Sequence, residues 1–268
     1  MNRLERLHDA HLSLDEYINI AVKEIKKNIG SLGLLFGLFY LVIPIAVLIP
    51  FFSKFLELRP TFEVLSNRST GLTEAQTAAL MQALGELLLP FSLAFLILSI
   101  TFTWLGVATP LLIERSIQGK QITALDALKT SLSKVPASMI VGFVGSLLVI
   151  IASIFLIIPG IYVGVCLTFT NAAISLRGRF IDAISYSFSL VRGQWWKTFF
   201  RLFLLGLIAF GIGIVIALLT WPLQLILLPI APIGELLSNL ISTFCGYLWS
   251  VVFIVMFLHF DYVRNPIL

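Results

Sequence analysis

Long apolar stretches, bounded by charged or turn-forming residues, dominate the pattern of hydrophobic and polar positions along the chain. A helix needs about 20 apolar residues to cross the hydrocarbon core of a bilayer. Stretches of about that length predict six spans, at about 30–52, 87–113, 137–156, 160–176, 202–221 and 236–260. Between Val135 and Leu176 no residue is charged. That run is too long for one span, and Pro159-Gly160 divides it into a tight helical hairpin.

Composition identifies the class of protein. The chain has 268 residues, of which 59% are hydrophobic and 12% charged, and its mean hydropathy is +1.01. Soluble domains carry about 25% charged residues, so the solubilising charge is half of the usual amount. The polar first 28 residues lack the apolar core and cleavage site of a signal peptide, and we expect them to be retained. The sequence predicts an all-α polytopic membrane protein with six transmembrane helices.

The lysines and arginines are distributed unequally between the two ends of the spans. Fifteen fall on one side of the six-span topology and three on the other, namely Lys54, Arg59 and Arg68. Short cytoplasmic loops are enriched in these residues. We therefore expect a multi-pass protein whose basic side, including both termini, lies in the cytoplasm.

Two cytoplasmic loops resemble each other. The sequence from Asp126 to Val135 aligns with that from Asp182 to Val191 at a constant offset of 56, with five of ten positions identical. Apolar residues recur in both at three- and four-residue steps, which indicates amphipathic helices, and Thr123 with Asp126 predicts a helix cap. A weaker copy contains Glu16. The interpretation is one membrane domain, 1–268, of three repeats of amphipathic cytoplasmic helix plus transmembrane hairpin (about 12–113, 122–176 and 180–260), with an outer insertion at 53–86.

Residues for catalysis or metal binding are not grouped in the sequence. His8, His11 and His259 are scattered, and no Walker, HExxH or GxSxG motif occurs. Cys166 and Cys245 lie within apolar runs and are interpreted as small buried hydrophobic residues. We therefore expect no catalytic residue, metal or cofactor, and no nucleic-acid partner. The span interiors also lack ionisable residues, which disfavours a proton-coupled transporter.

Cations alternate with interfacial tryptophans at the start of the fifth span. Tryptophan belts lie at head-group depth, and juxtamembrane cations attract anionic lipid, so the stretch indicates either simple anchoring or a specific lipid head-group site. The head-group and interface candidates are Arg177, Arg179, Arg192, Trp195, Trp196, Lys197 and Arg201. The buried polar candidates, interpreted as interhelical hydrogen-bonding groups, are Asn171, Gln224 and Asn239.

Two outer segments also have a predicted form. Thr73 to Glu86 is expected to form an amphipathic helix with Thr73 and Gln76 as a capping pair. The proline-broken segment from Trp221 to Pro232 is too short to span and is expected to dip into the outer interface.

Several structural motifs carry a family resemblance. They are the segments 156–162 (LIIPGIY), 171–176, 182–196 with its terminal GQWW, and 72–81. Together they resemble a bacterial inner-membrane family similar to the membrane domain fused to some glycerophosphoryl diester phosphodiesterases. The resemblance implies a six-helix membrane protein with no assigned reaction. The phosphodiesterase activity of fused members belongs to a soluble barrel that this sequence lacks, so no catalytic residue is carried over.

The leading functional hypothesis is a non-enzymatic membrane protein that binds lipid or a membrane partner, with a role in membrane homeostasis or complex assembly. Small residues four apart, such as Gly160 and Gly164, allow helices to approach closely, either within the bundle or with a partner or second copy. The alternative is a transporter or permease for a lipid or other amphipathic substrate, suggested by the repeat. An intramembrane enzyme is the third hypothesis.

The predicted orientation has a direct test. In intact vesicles of known sidedness, cysteine labelling should reach the segments around Lys129 and Arg192 from the cytoplasmic side only, because both lie on the basic face. Labelling of either segment from outside would contradict the orientation and the span assignment.

Overall fold

The computed structural model describes residues 6–9, 12–66, 73–226 and 231–265. Its helices are α1 Leu14–Phe36, α2 Ile43–Ser66, α3 Glu74–Ile117, α4 Ala124–Ser131, α5 Val135–Phe155, α6 Ile157–Leu167, α7 Thr170–Arg177, α8 Ala183–Val191, α9 Trp195–Ile226 and α10 Ala231–Arg264. A π-helical segment, Gly37–Val42, joins α1 to α2, and a 3-10 turn, Leu132–Lys134, joins α4 to α5. The described residues contain no strand, and the predicted all-α fold is confirmed.

Six helical segments are long and apolar enough to cross a membrane, as predicted: Leu14–Glu63, Glu74–Ile117, Ala124–Phe155, Ile157–Arg177, Trp195–Pro222 and Leu237–Arg264. Only 6% to 39% of the residues in their most apolar windows are buried within the protein. Large apolar side chains such as Ile154 and Phe155 are more than three-quarters exposed. Soluble proteins rarely expose such continuous apolar surface. The six apolar helices and their exposed apolar surface are those of an integral membrane protein.

The hairpin between the third and fourth spans turns three residues earlier than Pro159-Gly160. The break lies at Leu156, whose backbone is extended (φ −165°, ψ 147°). Pro159 falls in the first turn of α6, where a missing N–H costs no helical hydrogen bond. Gly160 has a different role, because a Cβ built there would lie 2.1 Å from the Ser153 Oγ and 3.1 Å from the Ser153 Cα. This glycine allows α5 and α6 to approach closely.

The described chain divides into two compact units, Met1–Leu34 with Gly106–Leu268, and Leu35–Leu105. In the second unit, α2 lies alongside the first part of α3, with a Lys54–Glu86 ion pair of 2.9 Å and the rings of Phe51 and Phe91 5.9 Å apart. The first predicted repeat is therefore divided between the two units.

The outer stretch begins with the predicted cap but is not a separate helix. The Thr73 N–H donates to the Gln76 Oε1 (3.0 Å), and the Gln76 N–H donates to the Thr73 Oγ1 (3.4 Å). The helix that starts here continues without a break as α3, through Pro90, to Ile117. The helix predicted over residues 73–86 is thus present as the first part of a longer helix.

The predicted interfacial segment after the fifth span is also helical in its first part. Helix α9 continues through Pro222 to Ile226. The remainder of the predicted segment includes residues 227–230, with Pro229, which lie outside the described residues.

The first unit begins with an amphipathic helix that bends at Asn28 (φ −110°, ψ 15°). On its inner face the fully buried Glu24 accepts a hydrogen bond from the Ser116 Oγ (2.6 Å). The Asn28 Nδ2 donates to the same hydroxyl (2.8 Å), and the Lys27 ammonium donates to the Ser116 carbonyl (2.8 Å). Together these bonds attach the amphipathic part of α1 to the end of α3.

Equivalent positions of the two similar loops have similar environments. Ala127 and Ala183 are both fully buried, and so are Ser131 and Ser187. Thr123 caps α4 as predicted, accepting from the Asp126 N–H at 3.1 Å. Asp182 makes no side-chain cap bond, because its carboxylate instead pairs with Arg179. The threefold repeat itself stays a prediction.

The close approach at Gly160 yields a stability prediction. Gly160→Ala should destabilise the protein by about 1–3 kcal/mol, because the added methyl overpacks the contact with Ser153. Thermal or detergent-induced unfolding of the purified protein measures the change.

Gly164→Ala is the matched control on the same helix, since a Cβ there meets nothing within 4 Å. It should leave stability unchanged or raise it by up to about 1 kcal/mol. Equal losses of stability in the two variants would contradict the close contact between α5 and α6 at Gly160.

Candidate functional site

Three of the predicted head-group residues converge on one cavity. Arg192, Lys197 and Arg201 line a cavity of about 210 Å³ between the start of α9 and the end of α10. The remaining lining residues are Leu190, Gln194, His259, Phe260, Val263 and Arg264. We call this space the basic cavity.

Local backbone structure positions the cations of α9. After α8, Gly193 adopts a left-handed conformation (φ +85°) that L side chains rarely enter. The Gln194 N–H closes this turn on the Val191 carbonyl (3.1 Å), and α9 starts at Trp195. Lys197 and Arg201 follow four residues apart, so they share one face of the helix.

Arg201 is held in place by the N-terminal region. Its Nη1 donates to the Tyr17 hydroxyl and its Nη2 to the Leu12 carbonyl, both at 3.1 Å. The guanidinium also lies 5.4 Å from the Tyr17 ring centroid and 5.7 Å from that of Phe260. These contacts orient the guanidinium without neutralising its charge.

Helix α10 contributes two residues that were not among the sequence candidates. Arg264, in the last turn, donates to the Ser189 carbonyl. His259 is buried, with its Nδ1 3.2 Å from the Leu7 carbonyl and its ring against Tyr17. The sequence placed Arg264 on the same face as Arg192 but gave no indication that α9 and α10 pair along their length.

The electrostatics of the basic cavity favour an anion. Four permanent cations line it, and none of its described lining residues is acidic. Within the described residues none of the four forms an ion pair with a carboxylate. Guanidinium groups bind phosphate and carboxylate oxygens through paired N–H donors. The positive end of the α9 dipole, beside Arg192, adds to the same field.

The tryptophans lie next to the basic cavity at the start of α9. The Trp195 indole donates to the Tyr162 carbonyl (3.3 Å) and stacks on Phe199 at 5.2 Å. Trp196 is 66% exposed. An exposed indole beside a span end is typical of the membrane interface.

Arg177 occupies a different environment. Its Nη1 lies 2.7 Å from the Glu114 Oε1, and its Nε donates to the Asp261 Oδ2 at 2.6 Å. Asp261 is fully buried and Glu114 is 6% exposed. We call these three residues the charge triad. Because both carboxylates already pair with it, Arg177 is part of the protein interior and is not free for a lipid.

Arg179 is also paired. It forms an ion pair with Asp182, and its guanidinium carbon lies 4.2 Å above the Tyr186 ring. Tyr186 donates in turn to the Asp261 carboxylate. Burial raises the pKa of Tyr186 to about 12, and this hydrogen bond, which favours the protonated phenol, acts in the same direction. The phenol therefore stays a proton donor at physiological pH.

Two of the three predicted buried polar residues, Asn171 and Asn239, are exposed. Both side chains lie at the surface of the protein, Asn171 on α7 and Asn239 on α10. The predicted interhelical bond does form at Asn171, whose Oδ1 accepts from the Ser138 hydroxyl at 3.1 Å. The Gln224 side chain lies outside the described part of the structure.

Among the described residues, no group of three or more His, Cys, Asp or Glu side chains has metal-binding geometry. Cys166 and Cys245 are free thiols, and only Cys166 is buried.

Comparison with protein-family models, curated proteins and solved structures finds no significant match. The resemblance to the phosphodiesterase-associated membrane family therefore stays a prediction.

The charge triad yields a stability prediction. Arg177→Gln leaves two buried carboxylates without their cation and should cost about 3–5 kcal/mol. Unfolding of the purified protein in detergent measures the loss.

Arg179→Gln is the control, since it removes an arginine two residues away whose pair with Asp182 is exposed. It should cost only about 0–1 kcal/mol. A loss in Arg177→Gln no greater than in the control would show that the triad is not a stabilising contact.

Proposed function

We propose that this integral membrane protein binds the head group of anionic phospholipids in the basic cavity, at the cytoplasmic face of a bacterial inner membrane, and that it catalyses no reaction. The observation that carries the proposal is the convergence of four cations, Arg192, Lys197, Arg201 and Arg264, without a carboxylate among the described lining residues.

The size of the basic cavity supports a head group as its ligand. Its volume of about 210 Å³ is below the range of about 300–1,000 Å³ typical of sites that enclose a whole small molecule. A phosphate group needs little space, and the acyl chains of a lipid remain in the bilayer. The ligand is thus held by its charged end.

The cations of the basic cavity fall into two groups. Arg201 and Arg264 already donate to protein oxygens, which fixes the orientation of their guanidinium groups. Arg192 and Lys197 are exposed and make no ion pair within the described residues. A phosphate between these groups accepts charge-assisted hydrogen bonds from all sides.

Because the ligand is an anionic lipid, occupancy of the basic cavity depends on the lipid composition of the cytoplasmic leaflet. The proposed role is in membrane homeostasis or in the assembly of membrane complexes. Exposed helix faces with small residues offer a surface for a membrane partner or a second copy.

The test is lipid retention in native mass spectrometry of protein reconstituted with phosphatidylglycerol or with phosphatidylcholine. Hydrogen bonds to charged groups contribute about 1.5–3 kcal/mol each. The double variant Arg192→Gln/Lys197→Gln should therefore retain phosphatidylglycerol at least about tenfold more weakly. Phosphatidylcholine, which has no net charge, should be retained poorly by both proteins.

Lys120→Gln/Lys129→Gln is the matched control. It removes the same charge from exposed positions of the predicted cytoplasmic face outside the basic cavity. This control should retain phosphatidylglycerol as the unmodified chain does. Equal retention by both double variants, or no preference for phosphatidylglycerol, would refute the proposal.

A further inference from the structure

A second cavity lies within the hairpin of the third and fourth spans. It measures about 460 Å³ and lies between α5 and the α6–α7 segment. Its apolar walls include Val141, Val149, Ile150 and Leu167. Its polar residues are Ser146, Thr168, Thr170 and Asn171. We call it the hairpin cleft, and it shares no residue with the basic cavity.

Two polar residues of the hairpin cleft have unused hydrogen-bonding groups. Thr170 is 7% exposed, and its buried hydroxyl has no partner within the described residues. Asn171 accepts one bond, from Ser138, but its Nδ2 donates none there. Ser146 and Thr168 differ, because each hydroxyl donates to a carbonyl of its own helix, at 2.9 and 3.1 Å.

Unpaired donors are costly at this position in the chain. The cleft is built from membrane-spanning segments, where hydrocarbon cannot accept a hydrogen bond and an unsatisfied polar group costs several kcal/mol. Interhelical pairing is the usual solution in membranes, yet it accounts here only for the Asn171 oxygen. Within the described residues the amide N–H groups and the Thr170 hydroxyl have no acceptor.

We propose that the hairpin cleft binds a neutral amphipathic molecule dissolved in the bilayer, through a carbonyl oxygen that accepts hydrogen bonds from Asn171 and Thr170. An acyl or prenyl chain continues from that carbonyl along Val149 and Ile150. The cleft contains no charged residue, so it does not select an ionic head group. Its volume lies within the range of sites that enclose small ligands, about 300–1,000 Å³.

Two bilayer components carry this chemistry, the ester carbonyl of a glycerolipid and the ring carbonyl of an isoprenoid quinone. Photocrosslinking separates them. The protein is reconstituted with a diacylglycerol carrying a diazirine next to its ester, with a diazirine-tagged quinone, or with a diazirine alkane that lacks a carbonyl. Peptide mapping then locates the adducts.

At least one carbonyl probe should label residues 141–150 and 164–171 well above the alkane, and the probe that does so identifies the source. The variant Thr170→Val/Asn171→Leu should lower that labelling about threefold to tenfold, as expected for the loss of a hydrogen bond. Asn239→Leu, which removes an exposed asparagine from another span, should not change it.

Mapping on the unmodified chain keeps the proposal testable if the double variant does not fold. Alkane labelling of the cleft equal to that of both carbonyl probes would overturn the proposal. So would undiminished labelling of a folded double variant. Because the probes are uncharged and the basic cavity shares no residue with the cleft, failure here is distinguishable from failure of head-group binding.

Discussion

Charged side chains that are buried near the ends of membrane-spanning helices have no water to pair with. Each of them must therefore pair with another group of the protein. In this protein the charge triad meets that requirement at one point. Glu114 lies in the last turn of α3, Arg177 ends α7 and Asp261 lies near the end of α10, and the arginine contacts both acids within 2.7 Å. The second, fourth and sixth spans therefore end together, as a six-span topology with both termini on one side requires.

The cations of this region fall into two kinds, according to whether they pair with a carboxylate. Arg177 and Arg179 have carboxylate partners and belong to the framework. Arg192 and Lys197 have none within the described residues, although they lie only 13 to 20 positions further along the chain. Four cations without a carboxylate partner in the described residues thus meet at the basic cavity. Surface charge near a membrane attracts anionic lipid in general, whereas charge concentrated in a cavity selects a position for it.

The spans were predictable because hydrophobic length alone determines them, and local caps such as Thr123 with Asp126 were predictable from neighbouring residues. Contacts between distant segments were not. Arg177 lies 63 residues from Glu114 and 84 from Asp261, so the sequence assigned it to the lipid surface by its position alone. The participation of Arg264 in the basic cavity depends in the same way on the pairing of α9 with α10. The unpaired Thr170 hydroxyl follows from three-dimensional packing and had no signal in the sequence.

The anchoring of Arg201 has a further consequence. Its guanidinium lines the basic cavity and also holds Tyr17 and Leu12, which precede it by 184 and 189 positions. In the proposed function, an anion bound by Arg201 would compete for those N–H groups or strengthen their arrangement, and would change the free energy with which the amphipathic part of α1 docks. Thermodynamic reciprocity then requires that detachment of this N-terminal segment alter anion affinity by the same factor. In the proposal, docking of the segment around Leu12 and Tyr17 and anion binding in the basic cavity are thus coupled through Arg201.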